Sequence, residues 1–121
     1  AAEINDSAER DDPNVVKAVV STSGPDGAAA GRGRALYFTR SRSPSGDGVL
    51  WHHIGLYAFR RDAIERFISL PPSPLEERER LEQLRALEAG FTIALEVVAE
   101  ATCGIDTAED YARFVARQKS A

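Results

Sequence analysis

The sequence predicts an α/β chain that opens on a β-hairpin. Three observations carry this. Short β-branched runs bounded by turn residues fill the first half. Apolar residues recur at helical spacing in the second half. Gly, Pro and Ser cluster between these segments, where chain reversals belong.

The elements follow in order. Residues 1–13 lack periodicity, end at Pro13 and read as a polar tail. Residues 14–21, Asn-Val-Val-Lys-Ala-Val-Val-Ser, form a strand. Residues 22–33 hold four glycines, a proline and an alanine run, and read as a loop. Residues 34–40 give a second strand, which pairs with the first as a hairpin with a long tip. After a Ser-, Gly- and Pro-rich loop at 41–48, residues 49–59 read as a third strand. Ile64, Phe67 and Ile68 mark a helix over 61–70, stopped by Pro71 and Pro72. Ser73-Pro74 with Glu76 and Glu77 in the first turn starts another helix. That helix runs to Gly90, a C-terminal glycine, with Leu81, Leu84 and Leu87 as its buried stripe. Residues 91–99 form a fourth strand. Thr107 caps a last helix with the stripe Tyr111, Phe114 and Val115, and Asp110 completes a capping-box pattern. There is no internal repeat. There is also no glycine-rich phosphate loop: Gly31-Arg32-Gly33 precedes a strand instead of joining strand to helix.

With 121 residues the chain forms one small domain. A net charge of −4 and a pI near 5.2 argue against a nucleic-acid surface, which needs a basic face. No apolar run approaches the roughly 20 residues of a membrane span. The acidic start is not a signal peptide. The single cysteine, Cys103, excludes an internal disulfide and fits a reducing cytoplasm. It reads as structural, since no histidine is near it in sequence. The chain begins with Ala1, so it reads as processed or cut from a longer one.

Several residues could carry chemistry. In an extended strand His53, Gly55, Tyr57 and Phe59 share one face, while Ile54, Leu56 and Ala58 face the core. Gly55 then leaves a gap between an imidazole and a phenol, suited to a polar ligand; a satisfied histidine beside a bulge glycine is the plainer alternative. Glu82 and Gln83 fall in mid-helix between leucines, near the buried boundary, where they could meet sugar hydroxyls. Glu82 could equally pair with Arg78 or Arg85 on the helix surface. Asp106 follows the fourth strand and could hold Mg²⁺, which favours carboxylates together with phosphate oxygens; alternatively it only completes the turn. Arg40 closes the second strand, and its fork suits a carboxylate, although a solvated loop arginine would look the same.

Six segments, in order, resemble the 3-deoxy-manno-octulosonate (Kdo) cytidylyltransferases, also called CMP-Kdo synthetases. They are Pro13-Asn14-Val15-Val16-Lys17, Ala35-Leu36-Tyr37-Phe38-Thr39-Arg40, His53-Ile54-Gly55-Leu56-Tyr57, Pro71-Pro72-Ser73-Pro74-Leu75-Glu76, Leu81-Glu82-Gln83-Leu84-Arg85 and Gly104-Ile105-Asp106-Thr107-Ala108-Glu109-Asp110. They cover the chain from about residue 13 onward. The resemblance implies the C-terminal half of a nucleotide-diphospho-sugar transferase-like, Rossmann-like mixed sheet, here residues 14–121, without the CTP-binding N-terminal half. It implies a cytoplasmic homodimer that uses CTP and Mg²⁺ to activate Kdo for lipopolysaccharide synthesis, releasing pyrophosphate. By motif, Asp106 resembles the family's C-terminal metal ligand. His53, Tyr57, Glu82 and Gln83 resemble residues lining the sugar pocket, and Arg40 an arginine near the sugar carboxylate.

Two departures accompany the resemblance. Ser43-Pro44-Ser45-Gly46-Asp47-Gly48 replaces a longer Ile-Pro segment and its arginine, and the loop at 22–33 is longer than the family's. Two other readings stand beside the leading one: a non-catalytic module for dimerisation or sugar binding, and a synthetase for another acidic sugar. The chain alone is expected neither to bind CTP tightly nor to release pyrophosphate.

Overall fold

A computed structural model describes residues 1–22 and 31–99, with 108, 111, 112 and 114–116. The chain runs β1 (Ala2–Glu3), α1 (Ser7–Asp11), β2 (Lys17–Ser21), β3 (Arg32–Thr39), β4 (Trp51–His52), α2 (Arg61–Ile68), α3 (Pro74–Glu79), α4 (Gln83–Glu88) and β5 (Ala94–Glu96). The described residues near the C-terminus are helical, where the sequence places its last helix. Thr107, Asp110, Cys103 and Asp106 lie outside the described residues, as do 23–30 of the first loop.

The strands form one sheet in the order β1-β4-β2-β3-β5. Every strand pair in it is antiparallel. Its two edges meet: Ala2 forms a parallel bridge with Val98, and the Val98 N–H donates to the Ala1 carbonyl at 2.8 Å. The sheet therefore curls back on itself, which pairs edge groups that would otherwise template aggregation.

The expected hairpin is present as β2 and β3. Its register shifts between Val19 and Val20, which pair with Tyr37 and Ala35. Leu36 is thus the extra residue of a β-bulge, and its side chain is exposed. β3 begins two residues earlier than expected, at Arg32. Gly33 accordingly belongs to the strand, where a Cβ would stand 2.4 Å from Val20 Cγ1. That close approach explains the glycine without a phosphate.

The core follows from the apolar pattern. Ala18, Ala35 and Phe38 of the hairpin pack against Leu81 and Leu84. A second buried group, Ala2, Ile4 and Leu50, lies where the first residues meet the segment before β4. The first 13 residues are therefore no loose tail. The Ile4 N–H donates to the Leu50 carbonyl at 2.9 Å, and Asp6 caps α1 by accepting from the Ala8 N–H at 2.9 Å. Lys17 is fully buried, and its Nζ donates to the Asp12 carbonyl at the end of α1 at 2.6 Å. Burial lowers the affinity of this ammonium for its proton, against the pull of Asp12, Asp11 and Glu9.

The expected long helix from 74 to 90 is two helices. α3 ends at Arg80, which adopts a left-handed φ of 56° and returns its N–H to the Glu76 carbonyl. The break has a function in packing. In a straight helix residues nine apart sit about 13 Å apart along the axis. Here Arg85 grips the Glu76 carboxylate with both sides of its fork, Nε donating to Oε2 at 2.7 Å and an Nη to Oε1. The guanidinium holds the Glu76 carboxyl below the usual carboxylate range. Gly90 is the expected left-handed terminator, at φ 79°.

Candidate functional site

The third strand is shorter than its sequence suggests, and this shapes the site. β4 pairs with β1 and β2 only through Trp51 and His52. The last rung is the His53 N–H donating to the Val16 carbonyl at 2.9 Å. Beyond it no neighbouring strand among the described residues continues the ladder, so strand propensity has nothing there to act on. Residues 53–60 leave the sheet as a strap. Leu56 and Ala58 do not face the core, Leu56 being 87% exposed, and Ile54 is only half-buried.

His53 and Tyr57 nevertheless meet. Four residues of extended strand would put their Cα atoms about 13 Å apart. Instead the Leu56 N–H donates to the Ile54 carbonyl at 2.8 Å, a tight turn centred on Gly55. The expected gap between imidazole and phenol is closed. His53 Nε2 and the Tyr57 hydroxyl share a hydrogen bond of 2.6 Å. The imidazole also rests edge-on against Phe38, with ring centres 5.1 Å apart.

Burial sets the charge of this pair. It lowers the His53 pKa to about 4, helped by neighbouring His52 and the amino terminus. Burial likewise pushes the Tyr57 phenol up. At neutral pH both groups are uncharged, so the pair offers one donor and one acceptor, arranged by the tautomer. Such a pair suits sugar hydroxyls better than a carboxylate.

A pH dependence follows. His53 has a folded pKa below its unfolded value of about 6.5, so the unfolded chain takes up the proton first. Stability is fully present above about pH 6.5 and is lost as pH falls towards 4. His52, lowered by burial too, adds to the loss. Glu76, depressed by Arg85, contributes only at lower pH, below its ordinary range. Thermal unfolding of the chain is therefore expected at falling temperature from pH 6.5 downwards, and His53→Gln should flatten that slope. An unchanged slope in the variant would contradict the half-buried neutral imidazole.

A cation that could meet a carboxylate stands nearby. Lys17 pairs across with both Thr39 and His52. Arg40 and His53, the next residue in each case, therefore flank Val16 at one end of the sheet, two strand spacings or about 10 Å apart. Arg40 Nε donates to the Glu79 carbonyl at 3.0 Å and Nη1 to the Pro13 carbonyl at 3.1 Å. These bonds fix the guanidinium plane. Among the described residues the other three of its five N–H groups meet no acceptor.

Glu79, which the sequence reading did not single out, organises this corner. Its Oε1 accepts from the hydroxyls of Thr39 at 2.9 Å and Tyr37 at 3.3 Å. Its Oε2 accepts from the Arg40 N–H at 3.1 Å. The signal available in sequence was only its place three residues after Glu76, and nothing there announces a partner 40 residues away.

Glu82 and Gln83 part company. Glu82 is the residue before α4 rather than mid-helix, its side chain is 69% exposed, and it pairs with Arg85 at 3.7 Å. This is the surface pairing foreseen as its alternative. Gln83 opens α4, and its buried Nε2 has no hydrogen-bond partner among the described residues. A buried amide that keeps no partner is costly in a folded chain. Asp106 lies outside the described residues. Among the described residues no group of three or more His, Cys, Asp or Glu side chains could hold a metal ion.

Comparison with known proteins gives a consistent result. Residues 1–96 match a family model described as cytidylyltransferase. The chain is 59% identical over 112 residues to 3-deoxy-manno-octulosonate cytidylyltransferase of Azorhizobium caulinodans, covering 93% of this chain and 43% of that one. The same enzyme of Methylobacterium radiotolerans is 58% identical, with the same coverage. Among solved structures, CMP:2-keto-3-deoxy-manno-octonic acid synthetase complexed with CTP matches with a TM-score of 0.83 at 34% identity, over 98% of this chain and 47% of that one. The expected α/β fold, that of the nucleotide-diphospho-sugar transferases, is thus met. The chain spans about half the length, or slightly less, of the relatives it matches.

Proposed function

We propose that this chain, which belongs to the cytidylyltransferase family, forms the sugar-holding side of an enzyme that transfers CMP from CTP to Kdo for lipopolysaccharide synthesis. The observation that carries the reading is the neutral His53–Tyr57 pair, set at the same sheet end as the fixed guanidinium of Arg40. An acidic sugar presents both a carboxylate and a row of hydroxyls. Arg40 supplies charge for the first, while His53 and Tyr57 supply uncharged donors and acceptors for the second. Gln83, whose buried Nε2 has no partner among the described residues, joins the sugar side on resemblance. Glu82 stays in the proposal on resemblance alone.

In the proposed reaction the anomeric oxygen of Kdo attacks the α-phosphorus of CTP, and pyrophosphate leaves. This chain's part is positioning: holding the nucleophile oriented removes part of the entropic barrier before any bond changes. Mg²⁺, with Asp106 as one ligand, belongs to the proposal through resemblance and would shield the phosphate charge. A cytoplasmic homodimer completes the reading. No helix among the described residues is long and apolar enough to cross a membrane.

The test is kinetic. Joined to the remainder of the Azorhizobium relative, the chain with His53→Ala should show a KM for Kdo raised about tenfold, the size of one lost hydrogen bond. The KM for CTP should stay unchanged. If CTP use weakened instead, His53 would not belong to the sugar side.

A further inference from the structure

We infer that Phe59 and Phe67 are positioning residues for the His53–Tyr57 pair: a line of ring contacts running from α2 holds the phenol against the imidazole. The inference rests on the reading that this pair receives the sugar.

The strap has little else to hold it. After the His53 N–H bond to Val16 and the turn at Gly55, the backbone of Tyr57, Ala58 and Phe59 makes no hydrogen bond to the described residues. Tyr57 and Phe59 are partly exposed, so burial alone does not fix them. Their rings, however, belong to a continuous series. The imidazole of His53 lies 5.7 Å from the Tyr57 ring, Tyr57 lies 6.2 Å from Phe59, and Phe59 lies 5.6 Å from Phe67. All three pairs are tilted and fall within the range of attractive aromatic contact.

Both ends of the series are anchored. Phe38, under the imidazole, is fully buried in the hairpin core. Phe67 is the buried residue of α2. Its ring meets Phe91 edge-on at 6.5 Å and lies under the Arg85 guanidinium at 5.2 Å. Arg66 covers Phe91 at 4.5 Å and donates to the Ala89 carbonyl at 2.8 Å. The Arg85 fork on Glu76 thus steadies α2, and α2 steadies the strap. Without Phe59 the phenol keeps, among the described residues, only the His53 ring beside it, and it can turn towards water. The imidazole then regains solvent on the face that Tyr57 covered.

The experiment follows the His53 Cε1–H signal by NMR across a pH titration of the 121-residue chain without sugar. His52→Gln distinguishes the two histidines, and His52 and the amino terminus are the charged neighbours to be tracked with it. In the unaltered chain His53 should titrate near pH 4. Phe59→Leu and Phe67→Leu should each raise that midpoint by more than about one unit, towards the ordinary value near 6.5. Ile68→Ala, an exposed change on the same helix, should leave it in place. A role in stability alone would lower the unfolding temperature and leave the native titration where it was. If Phe67→Leu fails to fold, Phe59→Leu decides, since Phe59 is 41% exposed. An unmoved midpoint in Phe59→Leu overturns the inference. An ordinary midpoint in the unaltered chain removes the pair itself and the inference with it. The reading of the pair as a sugar site fails separately, by a His53 signal that does not respond when Kdo is added.

Discussion

Leu84→Ala is expected to lower the unfolding free energy of the chain by about 3 kcal/mol, and Leu56→Ala by less than about 0.5 kcal/mol. The sequence marks both leucines as buried, Leu84 on the apolar stripe of its helix and Leu56 on the inner face of an alternating third strand. The structure separates them. Leu84 is 0% exposed and packs against the hairpin through Ala18, Ala35 and Phe38. Truncating it removes transfer energy and leaves a cavity bounded by two helices and two strands, which cannot collapse together. Leu56 lies on the strap beyond the last sheet rung and touches water on most sides. A loss of about 3 kcal/mol is a large part of the 5–15 kcal/mol that holds a typical domain, so urea unfolding resolves it easily. Equal losses in the two variants would mean that residues 53–59 continue the sheet after all.

Arg40→Ala should raise the KM for Kdo about tenfold to a hundredfold, in the chain joined to the remainder of the Azorhizobium relative. A charge-assisted hydrogen bond is worth roughly 1.5–3 kcal/mol, and a bidentate one sits at the upper end. Arg40→Lys should recover little. An ammonium keeps the charge, but it cannot donate to the Glu79 and Pro13 carbonyls and still present a planar edge to the sugar. If lysine restored the KM fully, Arg40 would act as a point charge and the fixed fork would be irrelevant. If alanine changed nothing, the carboxylate would be held elsewhere.

These expectations show what the sequence could and could not reveal. The hairpin, the start at Ser73-Pro74 and the stop at Gly90 were legible because each depends on local chemistry: β-branching, a fixed φ, a left-handed turn. The start of the chain was not. Ala2 and Ile4 are too few to show a period, although Asp6 followed three residues later by Glu9 was a readable helix start. The extent of the third strand was hidden for another reason. A strand needs a partner, and the supply of partners ends at Val16. The break at Arg80 was equally invisible, because it answers to Arg85 reaching Glu76 in space.

The site divides in the same way. Residue type and spacing put His53 and Tyr57 on one face of a strand with an open gap between them, whereas the turn at Gly55 makes a direct bond. Arg40 was placed at the end of its strand, but its fixation by Glu79 depends on contacts between segments some 40 residues apart. Gln83 stands out only once burial and hydrogen bonding are known.

The most direct test of the sugar-holding role is to titrate Kdo into the 121-residue chain and follow the ring signals of His53 and Tyr57 by NMR, with CTP in a parallel titration. Saturable shifts are expected at both rings with Kdo, weakened in Arg40→Ala, and no comparable shifts with CTP. Rings that stay unmoved at millimolar Kdo, or that respond to CTP instead, would contradict that role.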